Sequence, residues 1–393
     1  MRAPASAANR FDAAIPRHTL GGHRNLRSHQ KIMTDRERFL KVMNYEPVDR
    51  HPLHLTGPWL DTLARWRTEG LPADVTDVHD YLGIQHLRVV NIVGVFPYYP
   101  RFETRVLESN EEFEISIDRD GRTVRNFKNQ TSMPEWLDFP VKDGNDLRRV
   151  IDEHLDVDHL ELRFGKEFEE TLRQKTVRYP DALVMTNGGG YYWNLRSLAG
   201  VEGVSYLLYD EPELVDEFFE RIFVQVMEGL RRVTARVHVD VIGYGEDLAY
   251  KTGPLLAPSM VKSMILPRYK SALELAREKG VDLTWYDSDG DLRMLLPDFM
   301  SVGINGVAPC EVAASMDPVA LRKTFGKQLR LIGGFDKRIV PRGREAIIAE
   351  FERLRPVIEE GGFLPAIDHS VSSDISWDNY RHFLDAVQRY SGH

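Results

Sequence analysis

A single cysteine, Cys310, stands in 393 residues, which excludes a disulfide framework and any zinc site built on several thiolates. No run of 18 uninterrupted apolar residues occurs, which excludes a helical membrane span. Positive charge is short as well. The 51 Lys and Arg against 60 Asp and Glu leave a formal charge of −9, the wrong sign for a duplex nucleic-acid binder. No Gly-x-Gly-x-x-Gly follows an early strand, and the Gly188-Gly-Gly190 triplet lacks the Lys-Ser/Thr of a phosphate loop. The expected location is a reducing cytoplasm.

Core-forming residues are plentiful: 42% of the chain is hydrophobic and 28% charged, ordinary for a globular protein. The basic residues that exist crowd the start. Residues 1–32 hold Arg2, Arg10, Arg17, Arg24, Arg27 and Lys31 against one acid, Asp12, and no apolar signal segment. That stretch reads as a disordered basic extension, with Met33 opening a single folded domain over 33–393.

Thr34-Asp-Arg-Glu37 is a capping box that opens a helix. Apolar, β-branched runs then predict strands at His51–Leu55, Leu87–Val93, Ala182–Thr186, Val239–Tyr244, Val281–Trp285, Gly303–Val307, Leu329–Ile332 and Gly362–Ile367. Amphipathic stretches such as Glu211–Val233, Pro258–Glu278, Asp317–Phe325 and Arg344–Glu360 lie between them. Eight β-α units predict a closed (β/α)8 barrel. Glu103–Phe127 instead alternates polar and apolar residues around Asn110 and Asp120-Gly121, which predicts a β-hairpin insertion after the second strand.

In such a barrel the chemistry sits at the C-terminal strand ends. The first strand supplies His54 and Trp59, the second Asn91 and the run Phe96-Pro-Tyr-Tyr99. The third supplies Asn187, the triple glycine, Tyr191, Tyr192, Trp193 and Arg196. Acids follow on five strands in succession: Glu246-Asp247, Asp287-Ser-Asp289, Glu311, Asp336 and Asp368-His369. Crowded carboxylates raise one another's pKa unless a cation neutralises them. Asp291, Asp317 and Asp336 are expected to cap the helices that follow them, and Asp287, Glu246 and His369 to be functional. The triple glycine is expected to let the backbone approach a flat ligand or a crowded rim.

Several segments resemble one family. Thr34-Asp-Arg-Glu-Arg-Phe-Leu-Lys-Val-Met-Asn44, Glu46-Pro-Val-Asp-Arg50, Lys251-Thr-Gly-Pro254, Leu266-Pro-Arg-Tyr-Lys270, Leu331-Ile-Gly-Gly-Phe-Asp-Lys337 and Glu359-Glu-Gly-Gly-Phe363 are similar to the uroporphyrinogen decarboxylase superfamily. The resemblance spans Met33 to about Tyr390 and implies the (β/α)8 fold. True uroporphyrinogen decarboxylases carry a Met-Arg-Gln-Ala-Gly-Arg-Tyr loop after the first strand. Here the place reads Leu55-Thr-Gly-Pro-Trp-Leu60, so a haem-pathway decarboxylase is not expected.

The cobamide-dependent methyltransferases of the same superfamily hold zinc with a His-x-Cys and a later Cys. Those positions fall on Asp287, Asp289 and His369 here. The resemblance therefore implies a methyltransferase or demethylase, with a divalent metal (zinc among the candidates) held by Asp287, His369, Glu246 and Asp289. The catalytic set it implies is His369, Asp287, Arg196 and Tyr192. Substrate contacts are expected from Trp59, Tyr98, Trp193, Asn187 and Glu311. No Asp-x-His-x-x-Gly motif is present, so a corrinoid would arrive on a partner protein; a homodimer is the other expected assembly. The alternatives are a lyase or decarboxylase with His369 as proton donor and Arg196 as carboxylate anchor, and a non-catalytic tetrapyrrole-binding protein.

Overall fold

The computed structural model describes residues 33–92, 98–128, 133–164 and 166–393; the basic extension 1–32 and Phe96-Pro97 of the aromatic run lie outside them. The folded unit is 34–393. Its first helix, Asp35–Met43, starts at the expected capping box. Glu37 donates its amide to the Thr34 hydroxyl, and Thr34 donates its own amide to the Glu37 carboxylate at 2.8 Å.

The strands in chain order are β1 (Val89–Ile92), β2 (Arg105–Ser109), β3 (Phe113–Ile117), β4 (Thr123–Phe127), β5 (Glu135–Asp138), β6 (Leu183–Asn187), β7 (Val241–Gly245), β8 (Ala249–Tyr250), β9 (Gly253–Pro254), β10 (Leu283–Asp287), β11 (Gly306–Ala308), β12 (Arg330–Phe335) and β13 (Phe363–Ile367). Seven of them form one parallel sheet in the order β1-β6-β7-β10-β11-β12-β13. Helices alternate with these strands, among them Pro212–Thr234, Leu266–Glu278, Pro318–Phe325 and Arg344–Glu360.

An eighth strand was expected at His51–Leu55, and no strand forms there. The segment touches its neighbours through isolated bonds: Leu87 donates its amide to the Leu53 carbonyl at 2.7 Å, and Pro58 makes a single bridge to Val371. Pro52 and Pro58 lack the amide protons a ladder needs. Leu53 is nonetheless buried, so the segment contributes to the core without pairing.

Between β1 and β6 in the chain stands a four-stranded antiparallel sheet, β2-β3-β4-β5. It extends past the expected Phe127 to Asp138, because Trp136 and its neighbours add a fourth strand against β4. Every residue of β2 is exposed.

Two packed layers hold the parallel sheet. One face presents Leu183, Val241, Leu283 and Leu364, near the N-terminal ends of their strands, to Phe39, Val42 and Met43 of the first helix. That helix plugs the floor, and burying Phe39 is worth about 2 kcal/mol. The opposite face sends Ile242, Tyr286, Leu331 and Phe335 into a larger cluster with the helical residues Phe218, Phe219, Phe299 and Phe351. The floor leaves the C-terminal strand ends free for a site.

Candidate functional site at the C-terminal strand ends

Strand alternation decides which acids reach the site. On β10, Leu283 and Trp285 face inward and Tyr286 outward; Asp287 continues the inward series and lines a cavity. On β7, Val241 faces inward and Ile242 outward. Two residues past β7 the inward series arrives at Asp247, which lines the cavity. Asp247 has φ +45°, a left-handed conformation that Asp tolerates better than most residues, and one that recurs where a side chain is held for function.

Glu246 points the other way, which corrects its assignment as a metal ligand. It is fully buried. Its two carboxylate oxygens accept the amides of Tyr191 at 2.8 Å and Trp193 at 3.0 Å, and the Tyr269 hydroxyl donates to it as well. The helix Tyr191–Asp210 begins at Gly190, which has no side chain to cap it. Glu246 supplies that cap from a neighbouring strand, with its charge at the positive end of the helix dipole. Burial outweighs these bonds and pushes its carboxyl up to about 6.

The triple glycine serves the same junction. A Cβ on Gly188 would lie 2.4 Å from Ile242 and 2.7 Å from Tyr244, and Gly190 has φ +130°. The crowded rim, rather than a phosphate, requires glycine here. Two of the expected helix caps form: Asp317 accepts from the Ala320 amide and Asp336 from Arg338. Asp291 accepts the Arg293 amide within a turn instead, since the next helix begins only at Leu296. Asp368 is fully buried and accepts the amides of Val312 and Lys337 at 2.9 and 3.1 Å.

Two cavities open at the strand ends. The larger, about 720 Å³, is lined by His54, Trp59, Trp193, Arg196, Asp247, Trp285, Asp287, Asp289 and His369, among others. The smaller, about 320 Å³, has Asn91, Thr186, Asn187 and Asn194 in its lining beside apolar residues such as Met185. Trp193, Trp285 and Asp287 belong to both linings and form the shared wall. Cavities of this size suit a small molecule.

Of the expected site residues, Asp287, Asp289, His369, Arg196, Trp59 and Trp193 come together in the larger cavity, and Asn187 in the smaller. Four others do not. Tyr192 is buried on the helix Tyr191–Asp210, and burial pushes its hydroxyl up to about 12. Tyr98 is buried, edge-on to Phe102, with its hydroxyl donated to the Asn194 carbonyl. Glu311 accepts the Gly290 amide at 3.2 Å, and Glu246 caps its helix. The structure adds His54, Asp247 and Trp285 to the lining. Burial drives the His54 imidazole down to about 4, so it is neutral at pH 7, with its ring 5.1 Å from Trp285, edge to face.

The charged groups are unevenly matched. Arg196 lies 3.6 Å from the Asp247 carboxylate and donates to its carbonyl at 3.2 Å, with its guanidinium 5.6 Å from the rings of both Trp136 and Trp193. Asp289 and His369 approach to 3.7 Å, too far for a hydrogen bond. The His369 Nδ1 is buried with no partner among the described residues. No cationic side chain of the described residues makes an ion pair with Asp287. Its carboxyl is open to cavity water but walled by protein. That enclosure, followed by repulsion from Asp247 and Asp289, pushes it up to about 7. Asp289 is raised too, chiefly by burial.

A metal centre of Asp287, His369, Glu246 and Asp289 is not assembled. Among the described residues no three His, Cys, Asp or Glu side chains converge as a ligand set, and Glu246 is spent on its helix. The donor set does not fit the implied ion.

No protein family and no curated protein matches the sequence. Solved structures do resemble the fold. A methyltransferase from Methanosarcina mazei superposes with a TM-score of 0.60 at 15% identity, covering 91% of this chain and 99% of that one. A B12-independent methionine synthase from Shewanella sp. W3-18-1 gives a TM-score of 0.40 at 12% identity, over 80% and 83% of the two chains, too low to carry an argument. At these identities the Methanosarcina mazei structure shows a shared fold across nearly the whole of both chains, and nothing finer.

Proposed function

We propose that the chain is a methyl-transfer enzyme whose reaction takes place at the wall between the two cavities, in a barrel closed by the 51–58 segment. The observation that carries this reading is the place of Asp287. It stands on the shared wall, so a methyl donor in one chamber and an acceptor entering by the other would meet beside it. The fold likeness to a methyltransferase supports the same class.

The residues divide the work. Trp59, Trp193 and Trp285 give the larger chamber apolar walls that exclude water around the reacting carbon. Arg196, held between two indole rings and by Asp247, has little freedom to lose on orienting a substrate. Asp287 takes up or releases a proton close to neutral pH, so it can answer the change of charge when a methyl group departs. The acceptor is proposed to be a reduced corrinoid presented at the rim by a partner protein. The cavities themselves are sized for small molecules rather than a resident macrocycle.

The test is to incubate the purified protein with isotope-labelled methyl ethers, methylamines and methyl thioethers, with reduced cobalamin as the added acceptor. The expected result is labelled carbon on the acceptor, lost in His369→Ala and Asp287→Asn while both variants stay folded. Release of carbon dioxide from carboxylic acids, with no methyl transfer from any donor, would establish the decarboxylase alternative with His369 as proton donor.

A further inference from the structure

The larger chamber carries three carboxylates, Asp247, Asp287 and Asp289, against one guanidinium, and that guanidinium is already engaged by Asp247. Among the described residues no cation pairs with Asp287, and Asp289 has only His369 at 3.7 Å and the more distant charge of Lys337 to offset it. The same chamber is walled by three indole rings, Trp59, Trp193 and Trp285. One of them, Trp193, already holds a cation against its π-system, the Arg196 guanidinium at 5.6 Å. Carboxylates crowded without counter-charge and indole faces around them are complementary to one kind of guest, a bulky, weakly hydrated cation.

We infer that the substrate of this chamber bears a methylated, positively charged nitrogen, a quaternary or tertiary ammonium group. The inference rests on the reading of the mouth cavities as the substrate site. A metal ion is a poorer guest for this chamber, because it needs several oxygen or nitrogen ligands at about 2 Å and the acids here do not converge. An ammonium group needs no ligand geometry, only charge at van der Waals distance and π-faces around its methyl groups.

The chemistry balances for such a donor. The lone pair of the nucleophilic acceptor forms the new bond to the methyl carbon. The electron pair of the breaking C–N bond stays on nitrogen, so a quaternary ammonium departs as a neutral tertiary amine with no proton required. Loss of the positive charge also removes the attraction to Asp287 and Asp289, which favours product release.

Choline and its uncharged carbon isostere, 3,3-dimethylbutan-1-ol, separate charge from shape. Because three tryptophans line the chamber, intrinsic fluorescence reads binding without any assay of activity. Choline is expected to give a saturable change with Kd in the millimolar range or tighter, and the isostere to bind at least about tenfold more weakly, roughly 1.4 kcal/mol. Asp287→Asn should weaken choline by a similar factor while leaving the isostere unaffected, and Trp193→Leu should weaken choline with every carboxylate in place. Equal binding of choline and the isostere, or no saturable change with choline, would overturn the inference. Saturation by magnesium or zinc chloride in place of choline would overturn it as well, in favour of a metal. Methyl transfer from a neutral ether with no choline binding would sink this inference and leave the broader methyl-transfer reading standing.

Discussion

Replacing Asp287 by asparagine should stabilise the protein, by an amount that grows as pH rises from the unfolded pKa and levels off above about 7. The carboxyl is pushed from 3.8 to about 7 in the folded chain by enclosure and by Asp247 and Asp289. Between those values the folded state holds a proton that the unfolded state has lost. Stability is therefore full below the unfolded value and falls as pH rises through the folded one. At 1.36 kcal/mol for each pH unit the ceiling is about 4 kcal/mol. The side chain is more than a third open to cavity water, so screening reduces this to about 1–2 kcal/mol. Asparagine keeps the shape and removes the charge. For a domain of about 360 residues that corresponds to a Tm higher by roughly 1–3 °C at pH 8, shrinking to nothing measurable below the unfolded pKa. Differential scanning calorimetry of both proteins between pH 4 and 8 measures the gap. A gap independent of pH, or a variant less stable than wild type at pH 8, would refute the electrostatic reading of this carboxyl.

Glu246→Ala should cost about 2–4 kcal/mol and lower Tm markedly, because it strands two buried amides at the start of the Tyr191–Asp210 helix; an unchanged Tm would show that the cap is dispensable. Gly188→Ala should destabilise by about 1–3 kcal/mol, since its Cβ would meet Ile242 at 2.4 Å; urea denaturation reads the loss, and wild-type stability would contradict the crowding. Exhaustive dialysis against a chelator should leave Tm and methyl transfer unchanged. Restoration of lost activity by one added divalent metal would instead support the metal centre that the resemblance implies.

Much of the fold was legible because a parallel strand buried on both faces must be apolar throughout. Runs such as Ala182–Thr186 and Val281–Trp285 therefore stand out from amphipathic helices without any knowledge of their neighbours. His51–Leu55 brings buried Leu53 to the core as a strand would, but Pro52 within it and Pro58 beyond it decide against pairing, and that depends on which amides face a partner. The site was legible as a region and less so as a set of residues. Asp287, Asp289 and His369 were visible because the strands before them end abruptly. Glu246 was chosen over Asp247 because both follow β7. Counting by twos from the inward Val241 selects Asp247, so the signal was present and unread. Tyr192 lies beside Trp193, which does line the chamber, and Tyr98 packs on Phe102, which does not; no local pattern distinguishes a tyrosine packed under a loop from one facing a ligand. Trp285 and Gly243 face the cavities from mid-strand, positions that reasoning from strand ends alone passes over.

The most direct test of the central claim is the rate of methyl transfer in Asp287→Asn relative to wild type, measured on the donor that the labelled panel identifies. If the reaction takes place at the wall between the two chambers, the rate should fall at least about a hundredfold, some 2.7 kcal/mol, with the fold intact and Tm no lower than that of wild type. A rate within a factor of two of wild type would show that the chemistry lies elsewhere and would contradict the account.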